Sequence, residues 1–231
     1  MQNLDLLAVG VHPDDVELSC GGTILKHIAA GYRCGILDLT MGELGTRGSA
    51  ELRMKEAAAA AAILGVTIRD HTTLADGFFQ NNEAAVRQII EKIRLYRPKI
   101  VLCNAIADRH PDHGRAAQLV KEACFYAGLS KIETEHKGNP QTAWRPTAVY
   151  HYTQDYYIKP DFTVDVTPYF DKKMEAIAAF ASQFHSADSK EPLTPISNPE
   201  FFEQVKAKMM TAGREIGVVY AEGFTVNRAI G

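Results

Sequence analysis

The feature that most constrains the fold is the alternation of short apolar runs with helical segments over the first 104 residues. Leu4 to Val11 is an almost uninterrupted apolar run, typical of a strand buried on both faces of a parallel sheet. A helix over 20–30 and a second strand over 33–40 follow it. The next predicted elements are helices over 51–64 and 82–96 and strands over 66–69, 72–74 and 99–104. This order predicts an α/β fold with a doubly wound, mostly parallel sheet.

The later part of the chain is less regular. The elements predicted there are a helix over 113–127, a polar connection over 130–146, and strands over 147–154, 162–166 and 218–226. Thr167-Pro168 and Asn198-Pro199 each place a capping residue before a proline, so a helix is predicted to begin at each. Because no linker divides the chain, we expect one domain over 1–231, with a C-terminal extension that shapes the site.

The composition excludes several classes of protein. Lys and Arg number 25 against 28 Asp and Glu, with no run of like charges, so nucleic acid is not an expected partner. No stretch approaches the ~18 consecutive apolar residues of a membrane span, and the N-terminus lacks the basic region of a signal peptide. The four cysteines are widely spaced and mostly in apolar runs, which favours buried, reduced thiols in a cytoplasmic protein.

Two His-Pro-Asp segments follow predicted strands. His12-Pro13-Asp14-Asp15 comes after the first strand, and His110-Pro111-Asp112-His113 comes after the strand over 99–104. Each proline favours a rigid turn, and ligands of doubly wound sheets bind beyond the carboxyl ends of the strands. One such segment alone would indicate a turn with a capping aspartate. Two of them at different strand ends favour a shared site.

The residue types of these segments suit a divalent metal. His12 and Asp15 can bind one ion, and His113 is the best third ligand. This set leaves a position for water, as catalytic zinc requires, although two histidines and a carboxylate also hold Fe²⁺. With Asp15 as ligand, Asp14 is free to act as general base, and His110 can stabilise an oxyanion. The pattern predicts a metal hydrolase for an amide or an ester.

Three arginines adjoin the predicted loops. Arg47 lies in the glycine-rich segment MGELGTRGS, Arg53 follows that segment, and Arg109 precedes the second His-Pro-Asp segment. Taken singly, each arginine is read as solvated surface, and Arg53 with Glu56 as a helix-surface pair. If all three face the pocket, they suit a substrate rich in carboxylates or hydroxyls, because guanidinium makes bidentate contacts.

The remaining histidines lack a partner motif. The role of His151 stays open at this point. The histidines interpreted as surface or core residues are His27, His71, His136 and His185.

The chain resembles the LmbE-like, or PIG-L type, zinc-dependent N-deacetylases, which act on molecules containing N-acetylglucosamine. The segments that carry this resemblance are Val11 to Asp15, Gly21-Gly22-Thr23, Thr40 to Glu43, Leu52-Arg53 with Glu56, and His110 to His113. Three later segments look like the bacillithiol-biosynthesis deacetylases, which remove acetate from N-acetylglucosaminyl malate. They are 173–177, 182–184 and 220–224.

The resemblance implies a Rossmann-like fold and a homo-oligomer, commonly a hexamer. The residues it implies are the zinc ligands His12, Asp15 and His113, the general base Asp14, the intermediate-stabilising His110, and the substrate contacts Arg53 and Arg109. Arg109 is the contact expected for the malate carboxylates.

We therefore expect a zinc hydrolase that acts on the acetamide of a small amino sugar, with N-acetylglucosaminyl malate as the favoured substrate. One alternative is the same deacetylation on another N-acetylated sugar or amide, and another is ester hydrolysis at the same site. A non-catalytic nucleotide-binding protein is a third. It is disfavoured because no G-x-G-x-x-G follows the first strand and no P-loop is present.

Overall fold

The structure, a computed structural model, describes residues 3–184 and 190–226. Its strands are β1 (Leu6–Gly10), β2 (Cys34–Asp38), β3 (Ile68–His71), β4 (Ile100–Cys103), β5 (Glu135–His136), β6 (Asn139–Pro140), β7 (Ala148–Tyr152), β8 (Phe162–Asp165) and β9 (Ala221–Val226). Its α-helices are α1 (Asp15–Ala29), α2 (Ala50–Leu64), α3 (Glu83–Tyr96), α4 (Pro111–Ala127), α5 (Phe170–Ala178) and α6 (Phe201–Ile216).

Seven strands form one sheet in the order β3-β2-β1-β4-β7-β9-β8. The first five of these run parallel, and β9 pairs antiparallel with both β7 and β8. Helices α3 and α4 cover one face of the sheet, while α1 and α5 cover the other. Strands β1, β2 and β4 are therefore buried on both faces, which explains their continuous apolar sequences. The predicted α/β fold with a mostly parallel sheet is confirmed.

Helix α1 begins at Asp15, five residues before the predicted start. The prediction used the helical spacing of Ile24, Leu25 and Ile28, which all lie in the second half of the helix. That half is separated from the first by an interruption at Cys20, where φ is −140°. Asp14 and Asp15 consequently lie at the N-terminus of a helix.

Side chains of the C-terminal extension form hydrogen bonds with backbone groups of α1 near this interruption. The Glu222 carboxylate accepts hydrogen bonds from the N–H groups of Gly22 (2.9 Å) and Thr23 (2.7 Å). Lys173 Nζ donates to Glu222 Oε1 (2.6 Å) and to the Leu18 carbonyl (2.9 Å). Both charged side chains are only 1% exposed, so the pair is a fully buried tie between α5, β9 and α1.

Other predicted boundaries also shift. The strand expected over 72–74 does not form, because the N–H of Thr73 bonds to the Gln88 side chain instead of a neighbouring strand. Helix α4 begins at Pro111 rather than at residue 113, and α6 begins at Phe201 with Glu200, not Asn198, at its N-cap.

Two further segments differ from the expected pattern. Thr167–Tyr169 is a 3₁₀ turn that leads into α5, and the connection over 130–146 contains the short hairpin β5–β6.

All four cysteines are buried and free, as predicted. Among the described helices, none has the length and apolar character needed to cross a membrane.

Candidate metal and catalytic site

A cavity of about 890 Å³ opens at the carboxyl ends of β1, β4 and β7. We call the two His-Pro-Asp segments (12–15 and 110–113), together with Arg53 and Asp76, its inner wall. We call Arg109, residues 155–160 and the cavity-facing side of α6 its outer wall. The two His-Pro-Asp segments thus meet at the edge of the sheet where doubly wound folds bind ligands.

The Asp15 carboxylate lies between two histidines of the inner wall. Its Oδ1 is 3.2 Å from His113 Nε2, and its Oδ2 is 3.7 Å from His12 Nδ1. The side chains of Asp15 and His113 are 6% and 10% exposed. Burial alone would raise the pKa of Asp15, but His113 and then His12 lower it well below its ordinary value. Two imidazoles and one ionised carboxylate therefore face one another in a buried place.

Two further carboxylates hold the rings of these histidines. Asp76 Oδ1 lies 3.0 Å from His12 Nε2, and Asp108 Oδ2 lies 2.6 Å from His113 Nδ1. Burial would lower the pKa of His113, yet Asp15 and Asp108 together raise it to about 10. A carboxylate behind a histidine is the usual support of a metal ligand, because it fixes the tautomer and the ring orientation.

His110 completes a group of three imidazoles. One donor nitrogen from each of His12, His110 and His113 lies within 4.8 Å of the others. His110 Nδ1 accepts a hydrogen bond from the Asp112 N–H (3.3 Å), so its Nε2 carries the proton of the neutral ring. Burial, followed by the neighbouring His12 and His113, lowers the pKa of His110. This ring is a neutral hydrogen-bond donor at neutral pH.

Asp14 pairs with Arg53 on the floor of the cavity. Arg53 Nη2 donates to Asp14 Oδ2 (2.6 Å), and Arg53 Nε donates to the Pro13 carbonyl (3.2 Å). Burial raises the pKa of Asp14, and the charge of Arg53 offsets part of that rise. Asp14 has φ of 122°, a conformation rare outside glycine, and such strain is concentrated at functional sites.

The glycine-rich loop after β2 leaves room for Arg53. Gly42 has φ of +64°, and a Cβ there would lie 2.4 Å from Arg53 Nη1. Glu43 in the same loop accepts the N–H of Asp76 (2.8 Å). The loop thereby supports both Arg53 and Asp76, the carboxylate behind His12.

A second group of metal-ligand types shares His12 with the first. It consists of His12, Asp76 and Asp112. Asp112 already accepts Arg115 Nη1 (2.7 Å) and the Gly77 N–H (2.8 Å), while Asp76 accepts the Leu44 N–H (3.0 Å). These carboxylates are committed to the protein, so they support His12 from behind the site.

Comparisons with known proteins identify the family. The description "PIG-L: GlcNAc-PI de-N-acetylase" matches residues 7–124, which is more than half of the chain. This chain belongs to the PIG-L family. The matched segment contains the complete inner wall.

Three relatives illustrate the range of this family. A diacetylchitobiose deacetylase from Thermococcus kodakarensis is 30% identical over 189 residues, covering 78% of this chain and 70% of that protein. A 4-oxalmesaconate hydratase from Pseudomonas putida is 27% identical over 233 residues, covering 94% and 86%. The crystal structure of the conserved protein TT1542 from Thermus thermophilus superimposes with a TM-score of 0.87 at 35% identity, covering 99% and 96%.

The PIG-L inner wall brings together most of the predicted site residues. The predicted site residues that line the cavity are His12, Asp14, Asp15, Arg53, Arg109, His110 and His113. Arg53 lines the cavity and is paired with Asp14, the residue predicted to be the general base. Arg109 lies at the outer side, where its half-exposed guanidinium pairs with Asp155 at 2.7 Å.

Two of the other residues considered in the sequence lie elsewhere. Arg47 is buried outside the cavity lining and donates to the carbonyls of Ser182 and Phe184, so it is not the solvated surface residue expected of it singly. The condition that all three arginines face the pocket is therefore not met. Glu56 accepts the N–H and hydroxyl of Ser182 instead of pairing with Arg53. Long-range contacts with the C-terminal extension decide both positions.

The other histidines that the structure describes are not part of the cavity lining. His27 bonds to the Thr23 carbonyl, and His136 pairs with Glu91. His71 is exposed, and His151 is buried beside the Asn104 carbonyl at 2.9 Å. The interpretation of His185 falls on a residue outside the described ranges.

Four polar residues of the site were missed in the sequence. They are Asp76, Asn104, Asp108 and Gln154. Asn104 and Gln154 directly or closely follow apolar strands, a position that could have singled them out. Asp76 and Asp108 lie in loops with no pattern of their own, and only their partners reveal them.

Proposed function

We propose that this PIG-L protein is a zinc-dependent hydrolase that removes acetate from an N-acetylglucosaminide, with N-acetylglucosaminyl malate of bacillithiol biosynthesis as the favoured substrate. The observation that carries this proposal is the buried Asp15 carboxylate lying between His12 and His113, with Asp14 beside it on the cavity floor. The deacetylases among its relatives support the reaction class.

The residues present fit a zinc ion. His12, Asp15 and His113 supply two imidazoles and one carboxylate, a ligand set that suits a catalytic zinc. Asp76 and Asp108 supply the carboxylates that orient ligating histidines. When bound there, zinc supplies Lewis acidity, which polarises an amide carbonyl and acidifies water toward neutral pH. Because Asp76 occupies His12 Nε2, we assign the ligating role of this ring to Nδ1.

Asp14 holds the position of the general base. Its Oδ2 accepts from Arg53, so we assign Oδ1 to the proton of the attacking water. The same oxygen later returns that proton to the leaving amine, which departs as the free glucosamine. The positive charge of Arg53 opposes the rise in the pKa of Asp14 that burial causes, and so favours the ionised form that can accept a proton.

His110 is suited to the oxyanion. Its Nδ1 is engaged by the Asp112 N–H, and its ring packs edge-on against His12 with the ring centroids 4.7 Å apart. A neutral ring with a proton on Nε2 can donate to the oxygen that gains charge as the carbonyl becomes tetrahedral. We assign His110 this role beside the metal rather than on it.

The outer wall suits the rest of the substrate. The cavity is far larger than an acetamide needs, and Arg109 and Lys208 bring positive charge to its outer side. Arg109 can exchange its exposed partner Asp155 for a substrate carboxylate at small cost, because exposed ion pairs contribute little. These features favour an anionic aglycone such as malate.

The hydratase relative defines the main alternative within the family. Addition of water to a substrate also needs a base such as Asp14, so family membership alone does not select amide hydrolysis. We favour deacetylation because the family description and the diacetylchitobiose relative both name it.

The proposal is tested by measuring metal content and acetate release. We expect about one zinc per chain, loss of activity on chelation, and a higher kcat/KM for N-acetylglucosaminyl malate than for free N-acetylglucosamine. Equal values of kcat/KM would exclude the malate assignment, and absence of acetate from any N-acetylated sugar would exclude the deacetylase. The single domain, the homo-oligomer and the cytoplasmic location stay predictions.

A further inference from the structure

The two oxygens of the Asp15 carboxylate have unequal surroundings. Oδ2 accepts three hydrogen bonds of 3.0 Å, from the N–H groups of Val11 and His12 and from Asn104 Nδ2. Oδ1 lies 3.2 Å from Gln154 Nε2 and 3.2 Å from His113 Nε2. A carboxylate oxygen has about two lone-pair sites, so the protein already uses the capacity of Oδ2.

The orientation of the Gln154 amide is determined by its neighbours. Gln154 Oε1 accepts from the Ala105 N–H (3.0 Å) and from Asn104 Nδ2 (3.1 Å). Its Nε2 must therefore point toward Asp15 Oδ1. A flipped amide would place Nε2 against two donors and an oxygen against the carboxylate.

The Asn104 amide is determined in the same way. Its Nδ2 donates to both Asp15 Oδ2 and Gln154 Oε1, and the residue is fully buried. Its Oδ1 is buried without a hydrogen-bond partner among the described residues. Leaving a buried polar atom unpaired is costly, so its presence needs an explanation, and the placement of Nδ2 supplies one.

Both amides stand on rigid parts of the fold. Asn104 directly follows β4 and Gln154 lies two residues beyond β7, and these strands are neighbours in the sheet. Lys208 of α6 donates to the carbonyls of Thr153 (2.9 Å) and Gln154, which ties this turn to the C-terminal helix. The backbone that carries the two amides is thus held from two sides.

We propose that Asn104 and Gln154 are positioning residues for the metal ligand Asp15. Asn104 engages Oδ2 within the protein, and Gln154 donates to Oδ1 and so orients that oxygen, beside His113 Nε2, as the one that binds the metal. This inference rests on the proposed metal site. It assigns a role in metal binding to two amides that contact the ligand and not the ion, and it links that role to the C-terminal extension through Lys208.

The test is the zinc affinity of Gln154→Met, measured in competition with a chromogenic chelator on protein shown to be folded by circular dichroism. We expect the zinc dissociation constant to rise about 10-fold to 100-fold, the range for loss of a support behind a metal ligand. The absorption spectrum of the Co²⁺-substituted protein should change as well, because the Asp15 carboxylate loses its hydrogen bond from Gln154 and can bind the metal in another orientation. The matched control is Gln183→Met, since Gln183 is also a buried cavity residue but donates to the Arg47 carbonyl and Ser182 hydroxyl.

A second variant protects the test against a failure to fold. Asn104→Ala removes the other amide donor to Asp15 together with an oxygen that has no hydrogen-bond partner to lose among the described residues, and we expect the same direction of change. Unchanged zinc affinity and an unchanged cobalt spectrum in either folded variant would overturn the inference. A failure of the unsubstituted protein to bind zinc would instead overturn the proposed function, so the two failures are distinguishable.

Discussion

The two walls of the cavity are built by different means. On the inner wall, His113 is about 10% exposed and has carboxylates at both ring nitrogens, Asp15 and Asp108. On the outer wall, the side chains of Arg109 and Asp155 are 43% and 53% exposed and chiefly contact each other. Buried, multiply bonded groups are held in one geometry, which chemistry needs. Exposed groups with few partners can adapt, so we expect them to select the substrate.

The largest effect is expected for the metal ligands of the inner wall. Asp15→Asn and His113→Ala should lose zinc and with it nearly all activity, because each removes one of three protein ligands. Zinc per chain, measured by atomic emission on purified protein, checks this. His136→Ala serves as control, since His136 pairs with Glu91 away from the cavity and should leave zinc content unchanged. Full zinc content in Asp15→Asn would remove Asp15 from the ligand set.

The next effect separates the base from the ligand beside it. Asp14→Asn should keep zinc and lower kcat by about 10² to 10⁴, because it removes the group that accepts the proton. Steady-state acetate release and zinc content are the measurements. Asp155→Asn on the outer wall is the matched control and should leave kcat unchanged. Zinc loss in Asp14→Asn with retention in Asp15→Asn would reverse the two roles.

His110 is expected to matter somewhat less than the base. His110→Ala should lower kcat by about 10² to 10³, the usual cost of losing one oxyanion donor, without changing zinc content. The zinc content decides between two roles for His110, because three imidazoles lie close together here and each has the geometry of a possible metal ligand. If zinc is lost with His110, this ring is a ligand, and if kcat is unchanged, it has no part in the reaction.

The smallest effect is expected on the outer wall. Arg109→Met should raise KM for N-acetylglucosaminyl malate about tenfold, since one charge-assisted hydrogen bond contributes about 1.5 kcal/mol, and should leave kcat unchanged. Activity on free N-acetylglucosamine should not respond. Arg145→Met is the control, because Arg145 is an exposed arginine that bonds to the Phe125 carbonyl far from the cavity. A lower kcat with unchanged KM would contradict the division of labour between the two walls.

Local sequence patterns predicted much of the fold and part of the candidate site. The buried strands, the strand-helix alternation and the two proline turns are properties of neighbouring residues, and they predicted the α/β fold before any contact was known. They also placed His12, Asp15, His110 and His113 at one edge of the sheet, because parallel strands end together. The start of α1 was misplaced for a local reason as well, since the interruption at Cys20 breaks its period.

What only the tertiary structure decided are the partners of these groups. Arg53 meets Asp14 across 39 positions, Gln154 meets Asp15 across 139, and Glu222 meets Gly22 across 200. Contacts at such separations leave no period or spacing in the chain, because each depends on how whole elements pack. The sequence by itself thus determined the fold class and where polar chemistry gathers. Packing determined which oxygen, which ring nitrogen and which arginine face the cavity, since these depend on side chains brought together from distant parts of the chain.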